Sequence, residues 1–178
     1  VVQVITPGLI LQDDHLVSDR ANYLMAVCRD ARKNSFGIAF IDISTGDFRV
    51  TGMDSEKDLL NEIHRVSPSE IIASDPDIVP DGFYLTGRQT AMTPEKARDL
   101  LCAHFKVLGV EGLGLKDHET ALIASAMVLD YVRETQKGVL AHITSLRFNN
   151  PGRYMILGAT TRRNLELFDS LSQDRSNT

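Results

Sequence analysis

Acidic residues are the side chains of this 178-residue chain whose spacing suggests chemistry. Asp42 comes late in the apolar run 36–43, and Asp47, Glu70, Asp75 and Asp77 fall at or near the ends of other candidate strands. Carboxylates set on a meander followed by crossovers are the arrangement with which two-metal nucleases hold Mg²⁺ against a phosphodiester. The plainer account is that Asp42 caps the turn Ser44-Thr45-Gly46 through its side chain and that the other acids form turns. That account is favoured, because no helix supplies a second inward carboxylate to pair with Asp42. Other chemistries lack their residues. The chain has no Gly-x-x-x-x-Gly-Lys-Ser/Thr loop to cradle phosphate, no Gly-x-Ser-x-Gly, no Cys-x-x-Cys and no histidine pair four residues apart. The histidines at 15, 64, 104, 118 and 142 are scattered. Cys28 and Cys102 each sit in an apolar run and read as free buried thiols, neither a disulfide nor a Cys–His nucleophile. No catalytic residue, metal site or bound cofactor is expected in this chain.

The charge balance points the same way. Affinity for nucleic acid comes chiefly from neutralising phosphates with Lys and Arg, and a net charge of −5 leaves this chain a poor DNA binder. The short basic run Arg29, Arg32, Lys33 reads as a solvated edge. A content of 43% hydrophobic residues supports one domain with its own core plus a remnant. No signal peptide is recognisable and no apolar stretch approaches membrane-spanning length, so a soluble cytoplasmic protein without membrane contact is expected.

The elements that must carry these residues alternate between strand and helix. The run 36–43 is apolar on both faces, with Phe36, Ile38 and Phe40 on one and Gly37, Ala39, Ile41 and Ile43 on the other, which predicts an interior strand. Ser44-Thr45-Gly46 turns it into a half-exposed strand at 47–51, closing a hairpin. Leu59, Leu60, Ile63 and Val66 form one stripe of a helix at 55–66, with Ser55 as its N-cap and Ser67-Pro68 as its stop. Ile71-Ile72-Ala73 then reads as a short buried strand, making a crossover that covers one face of a sheet. After a loop-rich stretch with a short strand at 83–85, Thr93 caps and Pro94 opens a helix to Phe105, its inward stripe being Ala97, Leu100, Leu101, His104 and Phe105. Gly109, Gly112 and Gly114 punctuate a connection. The longest helix, 118–135, is apolar almost all round and should pack on more than one side, with Gly138 as its terminator. The run 22–29 fits a helical turn or a buried strand, which periodicity does not separate. At the start, the stretch 1–6 ends in a Pro7-Gly8 turn. At the end, a helix opens near Thr160, and its apolar face (Leu165, Phe168, Leu171) has nothing yet to pack on. With no Met at Val1, the chain reads as a segment of something larger.

In this order the elements resemble the MutS family of DNA mismatch-repair proteins. The resemblance is carried by Val4-Ile5-Thr6-Pro7-Gly8, Phe36-Gly37-Ile38-Ala39-Phe40-Ile41-Asp42-Ile43-Ser44-Thr45-Gly46 and Ser67-Pro68-Ser69-Glu70-Ile71-Ile72. It continues through Tyr131-Val132-Arg133-Glu134-Thr135-Gln136-Lys137, Leu140-Ala141-His142-Ile143 and Ala159-Thr160-Thr161-Arg162-Arg163-Asn164-Leu165-Glu166-Leu167. Each piece is weak alone; their colinear order is specific. One departure is Gly158, where the family usually has Asp. The resemblance implies an α/β fold, a ribonuclease-H-like mixed sheet flanked by helices, for residues 1–150 as the connector domain. It assigns 151–178 to the first strand and helix of an α-helical core domain, and makes 23–29 the first strand. It implies a parent protein that binds mismatched DNA, uses ATP and Mg²⁺, and acts as a homodimer. The family's mismatch-stacking Phe-x-Glu and its ATPase motif are both absent here, so neither activity transfers to a residue of this chain. In the family the connector is where the downstream protein MutL docks. The outward residues of the 94–105 helix, Glu95, Lys96, Arg98 and Asp99 with Ala103, together with the loop 75–87, are the expected contact. A solvated helix face with no partner is the competing account, as a nuclease using Asp42 is for the whole chain.

Overall fold

The computed structural model describes residues 22–86, 92–135 and 139–149. The Pro7-Gly8 turn, the stop at Gly138 and the helix opening near Thr160 lie outside the described residues. Three strands form an antiparallel meander: β1 (Tyr23–Asp30), β2 (Ser35–Asp42) and β3 (Asp47–Met53), with Ala26 opposite Ala39 and Phe40 opposite Arg49. Three short strands extend it in parallel. β4 (Glu70–Ala73) lies beside β1, β5 (Leu85–Thr86) beside β4, and β6 (Arg147–Asn149) beside β3. The result is a mixed six-stranded sheet in the order β5-β4-β1-β2-β3-β6.

Both faces are covered, which explains why β1 carried no period in the sequence. Leu24, Ala26 and Cys28 enter one core, Met25 and Val27 the other. A strand buried on both sides reads as a continuous apolar run. Its neighbour β2 splits as its alternation predicts, with Phe36, Ile38 and Phe40 in one core and Ala39, Ile41 and Ile43 in the other.

Helix α1 (Glu56–Val66) covers one face with Leu59 and Ile63, and Ser67 ends it in the left-handed region at φ 50°, donating its N–H to the Ile63 carbonyl. This is the expected crossover between β3 and β4. Ser55 stands at the N-cap position as predicted, but its side chain makes no capping bond; only its carbonyl is used, by the Leu59 N–H at 3.1 Å. Helices α2 (Pro94–Phe105) and α3 (Glu119–Thr135) cover the opposite face. α3 lies across β1 and β2, buried nearly all round from Thr120 to Leu129. It comes so near that a Cβ on Gly37 would sit 2.2 Å from the Thr120 carbonyl carbon. α2 packs beside α3 and, at its C-terminal end, over β3, where Phe105 stacks on Phe48 with centroids 6.4 Å apart.

Some local expectations shift. The strand expected at 83–85 forms at Leu85–Thr86, and the glycine-punctuated connection closes into a 3-10 turn at Val110–Leu113. Further 3-10 turns at Pro76–Ile78 and Val139–His142, and the whole of β6, were not expected. A three-residue strand has no period to read, and only its pairing with β3 defines it.

Candidate partner interface

Asp42 does not stand ready for a metal. Its Oδ1 accepts from the Ser44 N–H at 2.9 Å and the Ser44 hydroxyl at 2.6 Å, while its carbonyl accepts from the Gly46 N–H at 2.8 Å, so it holds the β2–β3 turn. Gly46 occupies the left-handed region there (φ 73°), as the turn requires. Its cross-strand neighbour Asp47 is neutralised by Arg49 at 2.7 Å. Glu70 lies near the same end of the sheet on the opposite face. Alternation puts Asp42 with Phe40 on the α1 side and Glu70 with Ile72 on the α3 side. Asp75 belongs to the other end, where it binds Arg29 at 3.2 Å and accepts the Asp77 N–H. The sheet therefore keeps Glu70 and Asp75 apart from the neighbouring Asp42 and Asp47. Among the described residues no group of three or more His, Cys, Asp or Glu side chains is placed to hold a metal ion.

Glu70 departs from the turn-forming role that its position suggests: it is fully buried, accepting the Tyr131 hydroxyl at 2.7 Å and the Thr86 hydroxyl on the same oxygen. The signal was its place two residues before Ile72 in a strand apolar on both faces.

The face expected to meet a partner is built by α2. Thr93 accepts the Lys96 N–H at 3.4 Å and Pro94 fills the first helical position, so the helix starts where the sequence placed it. Ala97 and Leu101 turn inward and are fully buried, and His104 Nε2 meets the Ile143 carbonyl oxygen at 2.8 Å. Glu95, Lys96, Arg98, Asp99 and Ala103 are all exposed. Its own backbone N–H, then the Thr93 side chain and, more weakly, Arg98 hold the Glu95 carboxyl below its usual range.

The structure adds a groove that the sequence did not show. Glu95 and Arg98, but not Lys96 or Asp99, line an open polar groove of about 960 Å³ at the end of the sheet where α1, α2 and α3 all begin. Asp54 and Asp58 enter it from the start of α1, and Asp117 and His118 from the start of α3. His118 stacks on Phe148 of β6, ring centroids 4.4 Å apart. Of the basic run, Lys33 bridges Glu119 at 3.0 Å and Asp30 at 3.7 Å while its side chain stays largely exposed, and Arg32 is exposed beside it, a solvated edge as the sequence suggested. The loop that was to share the partner contact lies elsewhere. It runs from β4 to β5 at the sheet edge opposite β3 and β6, and none of its described residues lines the groove.

The family model described as MutS domain II matches residues 22–144. A DNA mismatch repair protein MutS from Syntrophobacter fumaroxidans is 36% identical over 181 aligned residues, which cover 97% of this chain and 20% of the relative. Another from Lachnoclostridium phytofermentans is 34% identical over 189, with the same coverage of each chain. The chain thus spans about a fifth of the length of these relatives.

Proposed function

The chain belongs to the MutS family as a segment carrying domain II, and from that premise we propose that it is a non-catalytic connector. In this reading it links the mismatch-reading part of a larger protein to its core and ATPase, and offers a docking surface to a MutL-type repair protein. The larger protein binds mismatched DNA, uses ATP with Mg²⁺ and acts as a homodimer in the bacterial cytoplasm, associated with the nucleoid. The connector unit ends near residue 150, just after β6, and 151–178 begin the core. Among the described residues no helix is long and apolar enough to cross a membrane.

The observation that carries the docking role is the outer face of α2. Its inward residues are committed to the core, while Glu95, Lys96, Arg98 and Asp99 stand exposed beside the groove. Charges at the rim of an interface act mainly on association rate and salt dependence. In the full-length protein, the double variant Arg98→Glu, Asp99→Arg is therefore expected to lower recruitment of the MutL-type protein several-fold. Mismatch binding and ATP turnover should be unchanged. Unaltered recruitment would move the docking surface away from α2.

A further inference from the structure

A carboxylate buried to 0% exposure is expensive unless it is satisfied, and Glu70 is satisfied by residues from two other elements. Tyr131 reaches it from the second half of α3, and Thr86 from β5. β5 itself is very short: Leu85 and Thr86 pair with Ile71 and Ile72, both are only half-buried, and Leu85 turns to the α1 face. Two ladder positions at a sheet edge give an extended segment little hold of its own.

We propose that Glu70 is a polar latch that keeps the β5 edge shut, and that β5 is a separately opening unit of the fold. The carboxylate gathers both hydroxyls on one oxygen, so the edge strand is tied through β4 to α3, the most deeply buried helix among the described residues. On the α1 face the segment rests on softer contacts, Phe83 beside the His64 ring at 5.4 Å and partly buried Val79 and Leu85. When the latch is released, β5 leaves, and the outer backbone edge of β4 with it becomes open to solvent. The inner strands are held by a full antiparallel ladder and two cores and do not follow. Local opening of this kind, below the free energy of global unfolding, is how weakly packed edges behave. The proposal concerns the fold alone and stands or falls apart from the docking role.

The Ile71 N–H reports the latch directly, because it donates to the Tyr84 carbonyl at 2.8 Å across the β4–β5 seam. Hydrogen exchange on the 178-residue chain, resolved at single amides, would compare the parent sequence with Tyr131→Phe and Thr86→Val, both close in shape to the originals. Each variant is expected to speed exchange at Ile71 roughly tenfold or more, a change confined to one low-stability unit. Amides of β1 and β2 should keep their rates. The effect of the double variant should depart from the sum of the two single ones, since both hydroxyls serve one carboxylate. Unchanged exchange at Ile71, or an equal rise across the whole sheet, would overturn the latch.

Discussion

A methyl group at position 37 measures how closely α3 lies on the sheet. The atoms it would meet at 2.2–2.3 Å are backbone atoms of Thr120 and Ala121, which cannot swing aside. Gly37→Ala should therefore cost about 3 kcal/mol, the upper end of the usual overpacking range, seen as a lower urea midpoint. Gly52→Ala is the contrast, since its Cβ would meet only the His118 side chain, Nδ1 at 3.2 Å and Cγ at 3.9 Å. Because the obstacle is a side chain lining an open groove and not backbone, the change should stay within about 1 kcal/mol of neutral. Equal losses at the two glycines would disprove the close approach. Cys28 and Cys102 separate by the same logic of surroundings. Burial pushes the Cys28 thiol up to about 11, against a smaller lowering by its hydrogen bond with Ser74. Cys102 is half-exposed. In the folded chain at pH 8, an alkylating reagent should label Cys102 first, because the thiolate is the nucleophile and Cys28 has almost none at that pH. Preferential labelling of Cys28 would contradict the structure.

The start of α2 can be tested at the scale of the element. Glu95 has a folded pKa held below its unfolded value, so its contribution to the helix is present above the unfolded pKa and is lost as pH falls through the folded one. An NMR titration should therefore find the Glu95 midpoint below the ordinary glutamate value near 4.3. Thr93→Ala removes both the hydroxyl that meets Glu95 and the N-cap bond to Lys96. It should bring that midpoint back up and cost about 0.5–2 kcal/mol of stability. A midpoint indifferent to Thr93 would mean that the cap is not made in solution.

For the whole molecule, the net charge of −5 sets the expectation toward DNA. At the sheet end Arg29 pairs with Asp75 and Lys33 with Glu119 and Asp30, and the groove there is lined by more acids than cations. Few phosphates can then be neutralised, and binding to duplex DNA at about 150 mM salt should be no tighter than ordinary non-specific affinity, micromolar or weaker. Submicromolar binding in a fluorescence titration would refute this. Incubation with labelled DNA and Mg²⁺ or Mn²⁺ should likewise leave the DNA intact. Reproducible cleavage that disappears in Asp42→Asn would revive the nuclease reading.

The sequence by itself determined the elements whose order is written locally: the β2–β3 hairpin through its Thr-Gly turn, α1 and α2 through stripe and cap, and α3 through an apolar surface too wide for one neighbour. It also determined the family, because colinear motifs are a property of the chain, and it placed the exposed face of α2. Tertiary structure decided what depends on partners far away in sequence. Periodicity left β1 open between helical turn and strand, and the family resemblance made it the first strand; the structure sets it between β2 and β4, and β6 appears only beside β3. Neither a run buried on both sides nor a three-residue edge carries a period of its own. The same holds for the acids. Alternation and strand direction sent Asp42 and Glu70 to opposite faces and Asp75 to the far end, and brought Tyr131 from sixty-one positions away onto Glu70. Which carboxylate is a turn former and which is a buried anchor is a question of neighbours across the sheet, and those are chosen by the fold.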